Sequence, residues 1–427
     1  MKIAIFCQQL EYMGGIERVV LEQLRIFSEH GAQVELLMDR PPVLMKERIT
    51  CKCTVLAQSA DERERQLTKY LQENSPDLLI FHGVSHQFGK QDAEVATRCG
   101  TKNVCVIHFP FVSNIALGGG EYNSWKQFRE NGEACTAFAT VSELDAHFWR
   151  ALGKKSFHVQ NPFVHPPKNA EMSRRTGEDG VANLLWVGRL CEPKQPKAAL
   201  AAFARAVARC PGLTLTMVGG HAGGIGEYRK VAERLGVAEK VEFVSERPDI
   251  SEYWAKADIH LLTSICESFC LVWAEAKAAG LPTVMFELPY LELAHDPRGY
   301  VAVEQRTVEA LAGAIVDLAQ NAKKRLEMGR EAKESLKPFN DEAVWDSWMR
   351  LYEGLMDDKA GIEEDPNLRT IVTQLYAAAS HDKEVHRWPE DMAEDFTRLT
   401  RCSMRPLAKA MRTLAELGRK IKGVLRG

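Results

Sequence analysis

Glu267 and Glu275 stand eight residues apart and bracket the segment Ser268-Phe269-Cys270-Leu271-Val272-Trp273-Ala274. The run before them, Ala257 to Ser264, reads as a buried strand entering a loop, and Leu271 to Ala279 reads as a helix. Eight residues is about 2.2 helical turns. A first glutamate in the loop and a second at least a turn into the helix would bring two carboxylates and the helix's N-terminal amides onto one ligand. Carboxylates accept from ribose and sugar hydroxyls, and amides at a helix N-terminus donate to phosphate oxygens, so this chemistry suits a sugar nucleotide. Two glutamates at this spacing also arise by chance on solvated helix faces. The strand-like run before Glu267 and the setting of Glu275 beside Trp273 argue against that bland reading here.

Arg189 and Lys194 supply the opposite charge. The apolar run Leu184 to Val187 ends at Gly188, Arg189 follows, and Lys194 comes five positions later, just before an alanine-rich helix. Two cations beside a helix N-terminus make a diphosphate site, because a leaving nucleoside diphosphate gains negative charge as its bond to the sugar breaks. Solvated surface charge is the alternative. No D-x-D motif is present to hold a divalent ion, so neither a metal nor another cofactor is expected. Gly14 and Gly15 lie between the first strand and a helix, where glycine lets backbone approach an anion. The G-x-G-x-x-G spacing is missing there, and a bare tight turn would look the same. His108 ends the apolar run Asn103 to Ile107, and a histidine at a strand's C-terminal end faces the ligand edge of a parallel sheet. His82, after Leu78 to Phe81, is a weaker candidate of the same kind, and a lone histidine is often structural.

The elements that must position these residues alternate along the chain. Strand-like runs at Lys2 to Phe6, Val34 to Met38, Leu78 to Phe81, Asn103 to Ile107 and Ala137 to Val141 are interleaved with helical patterns such as Ile16 to His30. A second series runs through Asn183 to Val187, Leu213 to Val218, Val241 to Val244, Asp258 to Leu262 and Thr283 to Phe286, with helices at Gln195 to Arg209 and Tyr228 to Leu235. This pattern predicts an α/β chain with two parallel, Rossmann-like sheets. Asn161 to Lys168, rich in proline, and the polar stretch to Gly180 read as a linker. Ligand is then expected in a cleft between the domains, at the strands' C-terminal ends.

The chain resembles the retaining glycosyltransferases of GT-B architecture, of the family 4 type, which carry a glutamate, seven residues and a second glutamate. The likeness rests on Met13-Gly14-Gly15-Ile16-Glu17-Arg18-Val19-Val20, Ala139-Thr140-Val141-Ser142, Val187-Gly188-Arg189-Leu190 with Lys194, the glutamate pair, and Ala279-Gly280-Leu281-Pro282-Thr283-Val284, in that order. It covers roughly residues 1–356. The resemblance implies a first domain over residues 1–165 on the acceptor side, a donor domain over 181–337, and a helix over 338–356 that crosses back to the first domain. It implies that Arg189 and Lys194 stabilise the leaving diphosphate, that Glu267 and the amides of Ser268, Phe269 and Cys270 hold the sugar, and that Glu275 holds the ribose. By the same resemblance Gly188 belongs to the donor site, the Gly14–Gly15 loop would face donor phosphates or acceptor, and His108 would lie beside the transferred sugar. Front-face transfer with retention follows, because both glutamates fall on the nucleotide and sugar side and no covalent nucleophile is indicated.

Departures from the family pattern are specific. Cys270 stands where glycine is usual, Gln195 follows the lysine in place of glycine, and Leu288-Pro289-Tyr290 replaces a double-glycine loop. The last resembles a subgroup associated with bacterial surface polysaccharides. Two other classes stay open: a nucleotide-sugar epimerase, for which no acid and base pair is evident, and a noncatalytic sugar-nucleotide-binding subunit, for which loss of Arg189, Lys194 or Glu275 would be expected.

Composition bounds the rest. With 427 residues, 45% of them hydrophobic, the chain can bury two full cores and an appendage. A net charge of −3 excludes a globally basic nucleic-acid binder. Eleven scattered cysteines and no secretory leader are read as free thiols in a reduced cytoplasm. No apolar run reaches the ~18 residues of a membrane span. A helical extension is expected over residues 366–427. From Pro406 onward Leu407, Met411, Leu414, Ile421 and Leu425 share one face while Lys409, Arg412, Arg419, Lys420 and Arg426 take the other. That basic amphipathic pattern over 404–427 predicts a seat on an anionic membrane surface, on the inner face of the plasma membrane, or packing on the protein itself or a partner.

Overall fold

The structure, a computed structural model, describes residues 1–10, 14–43, 46–83, 87–109, 132–164, 179–220, 222–247, 249–304 and 307–362. The basic sequence over 404–427, the rest of the expected extension and most of the expected linker lie outside the described residues. Chain contacts divide the protein into two units, residues 1–162 with 339–427, and residues 163–338.

The first unit carries strands β1 (Lys2–Cys7), β2 (Gln33–Met38), β3 (Lys52–Val55), β4 (Leu78–His82), β5 (Asn103–Ile107), β6 (Ala137–Thr140) and β7 (Ser156–His158). They form one sheet in the order β3-β2-β1-β4-β5-β6-β7, every pairing parallel. Its central strands are near-continuous apolar runs because helices cover both faces, and Ala4, Ile5 and Phe6 are fully buried. The crossovers include α1 (Gly15–Glu29), α2 (Ala60–Asn74), α3 (Gly89–Arg98) and α4 (Glu143–Ala151). Ser142 caps α4 by accepting the Asp145 amide at 3.5 Å.

The second unit repeats the plan with β8 (Val181–Val187), β9 (Gly212–Val218), β10 (Val241–Val244), β11 (Ile259–Leu262), β12 (Thr283–Phe286) and β13 (Tyr300–Val303). The order is β10-β9-β8-β11-β12-β13, again parallel. Between and after the strands run α5 (Pro196–Arg209), α6 (Ala222–Arg234), α7 (Ser251–Lys256), α8 (Leu271–Ala278), α9 (Val308–Ala319) and α10 (Ala322–Ser335). A core of Leu185, Val218, Trp254, Ala276, Ala279 and neighbours seats α8 by its small residues.

The chain then returns to the first unit through α11 (Asp341–Gly354), capped by Asn340, whose side chain accepts the Ala343 amide at 2.8 Å. Trp348 is fully buried and meets Phe27 of α1 edge-on at 5.8 Å. Ser347 accepts the Gln160 amide at 2.9 Å, and Asp341 pairs with Arg25 at 2.9 Å. The ten cysteines among the described residues are free thiols, and no described helix is long and apolar enough to cross a membrane.

Candidate functional site

The second unit gathers its candidate residues at the C-terminal ends of β8 and β11. β8 is followed by Gly188, whose amide donates to Val218 O at 3.0 Å. Gly219, next to it after β9, has φ 139°, and a β carbon there would collide with Gly188 O. The two strand ends therefore approach as only glycine allows. Arg189 follows Gly188 and is exposed, with no ion pair among the described residues.

Lys194 closes a single 3₁₀ turn over Glu192–Lys194, and Gln195 then takes a left-handed conformation, φ 50°, before Pro196 starts α5. Buried Thr263, just beyond β11, ties this turn down. Its hydroxyl donates to Lys194 O at 2.7 Å and accepts from the Trp186 indole N–H at 3.0 Å. The Ile265 amide adds a bond to Pro193 O at 2.9 Å. The loop after β11 and the turn before α5 are thus one unit, and their charged side chains meet: Lys194 Nζ lies 2.5 Å from Glu267 Oε1. Burial works to lower the Lys194 pKa, and the Glu267 carboxylate overrides it, holding the ammonium above its ordinary value.

Glu267 is itself positioned by Tyr290, whose hydroxyl accepts the Glu267 amide at 3.0 Å. Phe269 buries its ring in the core, and Cys270, buried and left-handed at φ 70°, starts α8 without a side-chain cap. Cys270 O accepts the Trp273 and Ala274 amides at 3.0 and 3.2 Å. Glu275 follows one turn into α8 and is 1% exposed. The arrangement can do two things: present a cation and a carboxylate, mutually neutralised, at the mouth of a helix N-terminus, and hold a second carboxylate deeper among apolar walls.

The first unit holds the remaining candidates. Gly14 is the N-cap residue of α1 and Gly15 its first residue, and a β carbon on Gly14 would press on the Glu17 carboxylate at 2.5 Å. His108, one residue past β5, is not a lone histidine. Its Nε2 lies 2.9 Å from His82 Nδ1, and His82 Nε2 lies 2.7 Å from Gln23 Oε1 of α1. With Gln23 presenting its amide oxygen, His82 must donate through Nε2 and accept at Nδ1. His108 must then carry its proton on Nε2 and keep Nδ1 as an acceptor. Burial pushes the His82 pKa well down and that of His108 down to about 4, so both rings are neutral near pH 7.

Known proteins give the context for this geometry. A family model described as Glycosyl transferases group 1 matches residues 182–321. Those residues are similar to a group 1 glycosyltransferase domain. Its span takes in Gly188, Arg189, Lys194, Glu267 and Glu275. An uncharacterised glycosyltransferase of Haemophilus influenzae is 23% identical over 372 residues, covering 81% of this chain and 98% of its own. A D-inositol 3-phosphate glycosyltransferase of Catenulispora acidiphila is 31% identical over 190 residues, and the match spans only 44% of that protein. The crystal structure of Anabaena Alr3699/HepE in complex with UDP-glucose superposes with a TM-score of 0.67 at 17% identity, covering 83% of this chain and all of that one. The fold is the two-sheet α/β GT-B class. The matched region also includes residues whose structural roles were not anticipated from sequence, namely Gly219, Thr263 and Tyr290. The available signal was Gly219-Gly220 closing an apolar run as Gly188 closes the one before it.

Proposed function

We propose that the chain is a retaining glycosyltransferase that moves a sugar from a nucleotide-sugar donor to a glycan or lipid-linked glycan. The observation that carries this reading is the Lys194–Glu267 pair, set in the loop that enters α8, with Glu275 buried one turn inside. Arg189 and Lys194 take up the charge of the departing diphosphate. Glu267 and the amides of Ser268 to Cys270 receive the sugar, and Glu275 receives the ribose hydroxyls. The acceptor oxygen bonds to the anomeric carbon on the face from which the phosphate oxygen leaves, and that oxygen takes the acceptor's proton. Configuration is retained, and the reading calls for no metal because Arg189 and Lys194 supply positive charge to the leaving diphosphate.

The UDP-glucose complex of a protein with the same fold makes a uridine nucleotide the first donor to try. Leu288-Pro289-Tyr290, resembling a bacterial surface-polysaccharide subgroup, supports a role in cell-surface polysaccharide or lipopolysaccharide synthesis. A lipid-linked acceptor would suit a cytoplasmic enzyme seated on the membrane through residues 404–427. The test is a thermal-shift screen against UDP, GDP, ADP and their sugar conjugates, repeated with Glu275→Ala. A ligand at a hundred times its Kd stabilises the native state by about 2.7 kcal/mol. A base-selective rise that the variant loses supports the donor site. No rise with any nucleotide at millimolar concentration refutes it.

A further inference from the structure

The first unit contains a cavity of about 310 Å³ lined by Gln8, Asp39, Arg40, Gln58 and Gln87. Gln8 follows β1, Asp39 and Arg40 follow β2, and Gln58 and Gln87 lie just beyond β3 and β4. Those four strands are neighbours, in the order β3-β2-β1-β4, so their C-terminal ends converge on one place. That edge is where open parallel sheets take ligands.

One lining residue, Asp39, is held in place at a cost. Arg63 of α2 is fully buried, forks onto Asp92 of α3 at 2.7–3.0 Å, and reaches Asp39 Oδ1 at 2.7 Å. Its guanidinium lies over the rings of Phe88 and Phe6, at 4.7 and 5.6 Å. Apolar residues would serve stability as well as such a buried ion cluster. What the cluster adds is position: it fixes Asp39 and, through a bond to Ala57 O at 3.3 Å, the approach to Gln58. Gln58 Nε2 donates to Asp39 O at 2.8 Å and to Leu56 O at 3.3 Å. Both its N–H groups are engaged, which leaves its amide oxygen to accept from a ligand. Gln8 and Gln87 are exposed, and their side chains bond to nothing among the described residues.

Formal charge decides the ligand class. Arg63 and Arg40 balance Asp92 and Asp39, so the place favours no net charge. The amides of Gln8 and Gln87 each carry donors and an acceptor, and Gln58 adds an acceptor, together the complement of adjacent hydroxyls. The volume sits at the lower end for ligand pockets and equals the share of about ten waters. We propose that this cavity binds one neutral sugar residue, a part of the acceptor glycan other than the residue that reacts. The inference rests on the transferase reading above and is tested separately from it.

The experiment uses the full chain saturated with UDP and a panel of methyl α-glucoside, methyl α-galactoside, methyl α-mannoside, N-acetylglucosamine and glucose 1-phosphate. Binding is read by saturation-transfer NMR. The double variant Gln8→Ala/Gln58→Ala, at exposed positions, is compared throughout. The expected result is binding of at least one neutral sugar, weakened about tenfold in the variant, with the UDP thermal shift unchanged. No neutral sugar bound, equal binding by the variant, or preference for the sugar phosphate would each overturn the proposal. Loss of the UDP shift in wild type, with sugar binding intact, would instead count against the donor site alone.

Discussion

The Tyr290 hydroxyl accepts the Glu267 amide at 3.0 Å, and Glu267 holds Lys194 Nζ at 2.5 Å. A residue after β12 thereby sets the loop after β11, and that loop sets the cation before α5. Tyr290→Phe removes the acceptor and leaves the amide to find another. A lost partner of this kind costs about 1–3 kcal/mol locally. The expected outcome is weaker UDP binding by roughly tenfold, with the melting temperature nearly unchanged because the half-buried ring is retained. Titration of UDP against wild type and Tyr290→Phe checks it, and equal affinities would show that Tyr290 does not position the site.

Arg189 has no partner to lose among the described residues, so its removal tests chemistry rather than folding. Arg189→Ala should lower turnover by about two decades or more, the scale of losing one donor to a developing oxyanion. The melting temperature should stay within a degree or so of wild type, since an exposed side chain contributes little. Near wild-type turnover would remove Arg189 from the diphosphate site.

Two of the departures from the family pattern turn out to share one conformation. Cys270 and Gln195, each standing where glycine is usual, have φ 70° and 50°, the left-handed region that costs a side chain about 1–2 kcal/mol. The resemblance pointed to the need for glycine, and the backbone kept that geometry without it. Both sheets were legible for a related reason: central strands of a covered parallel sheet are long apolar runs. The strands that went unanticipated, β3, β7 and β13, are all sheet edges, where Lys52-Cys53-Thr54-Val55 or Ser156-Phe157-His158 mix polarity over three or four residues. The positioning roles of Tyr290 and Gln23 were invisible for a different reason. Each acts through a partner 23 and 59 residues away, and no local spacing records such a pairing.

Lys277 of α8 makes a prediction about alkaline pH. It is fully buried, donates to Leu293 O at 2.8 Å and Ser335 Oγ at 2.9 Å, and lies 4.8 Å from the Trp273 ring centroid. Burial pushes its pKa down to about 8, opposed by the nearby Asp296 carboxylate and helped by Arg298. Above about pH 8 the folded protein sheds this proton, while the unfolded chain holds it to about 10.5. Stability therefore rises with pH across that window, by at most about 3 kcal/mol, and the gain is lost as pH falls through 8. Urea titrations of wild type and Lys277→Met at pH 7.0 and 9.5 should show wild type gaining on the variant at the higher pH. A constant difference would mean the ammonium keeps its proton throughout.

Gln23, His82 and His108 form a chain in which one proton location dictates the next. Gln23 and His82 are 1% and 4% exposed, so the amide oxygen and the imidazole N–H satisfy each other or go unsatisfied. Because both imidazoles resist protonation, the fold contributes stability that is complete above about pH 6.5 and is lost as pH falls toward about 4, where His108 titrates. Nitrogen-15 NMR of labelled histidine should find His108 neutral at pH 6, protonated on Nε2 and bare at Nδ1. Gln23→Leu should lower stability by about 1–3 kcal/mol by orphaning the His82 N–H. It should also free His82 to donate through Nδ1, which moves the His108 proton to its own Nδ1. If His108 positions the sugar through an acceptor nitrogen, turnover then falls while UDP affinity holds, a split that simple loss of packing would not produce. A wild-type His108 already protonated on Nδ1 would reverse the chain and assign Gln23 the role of donor.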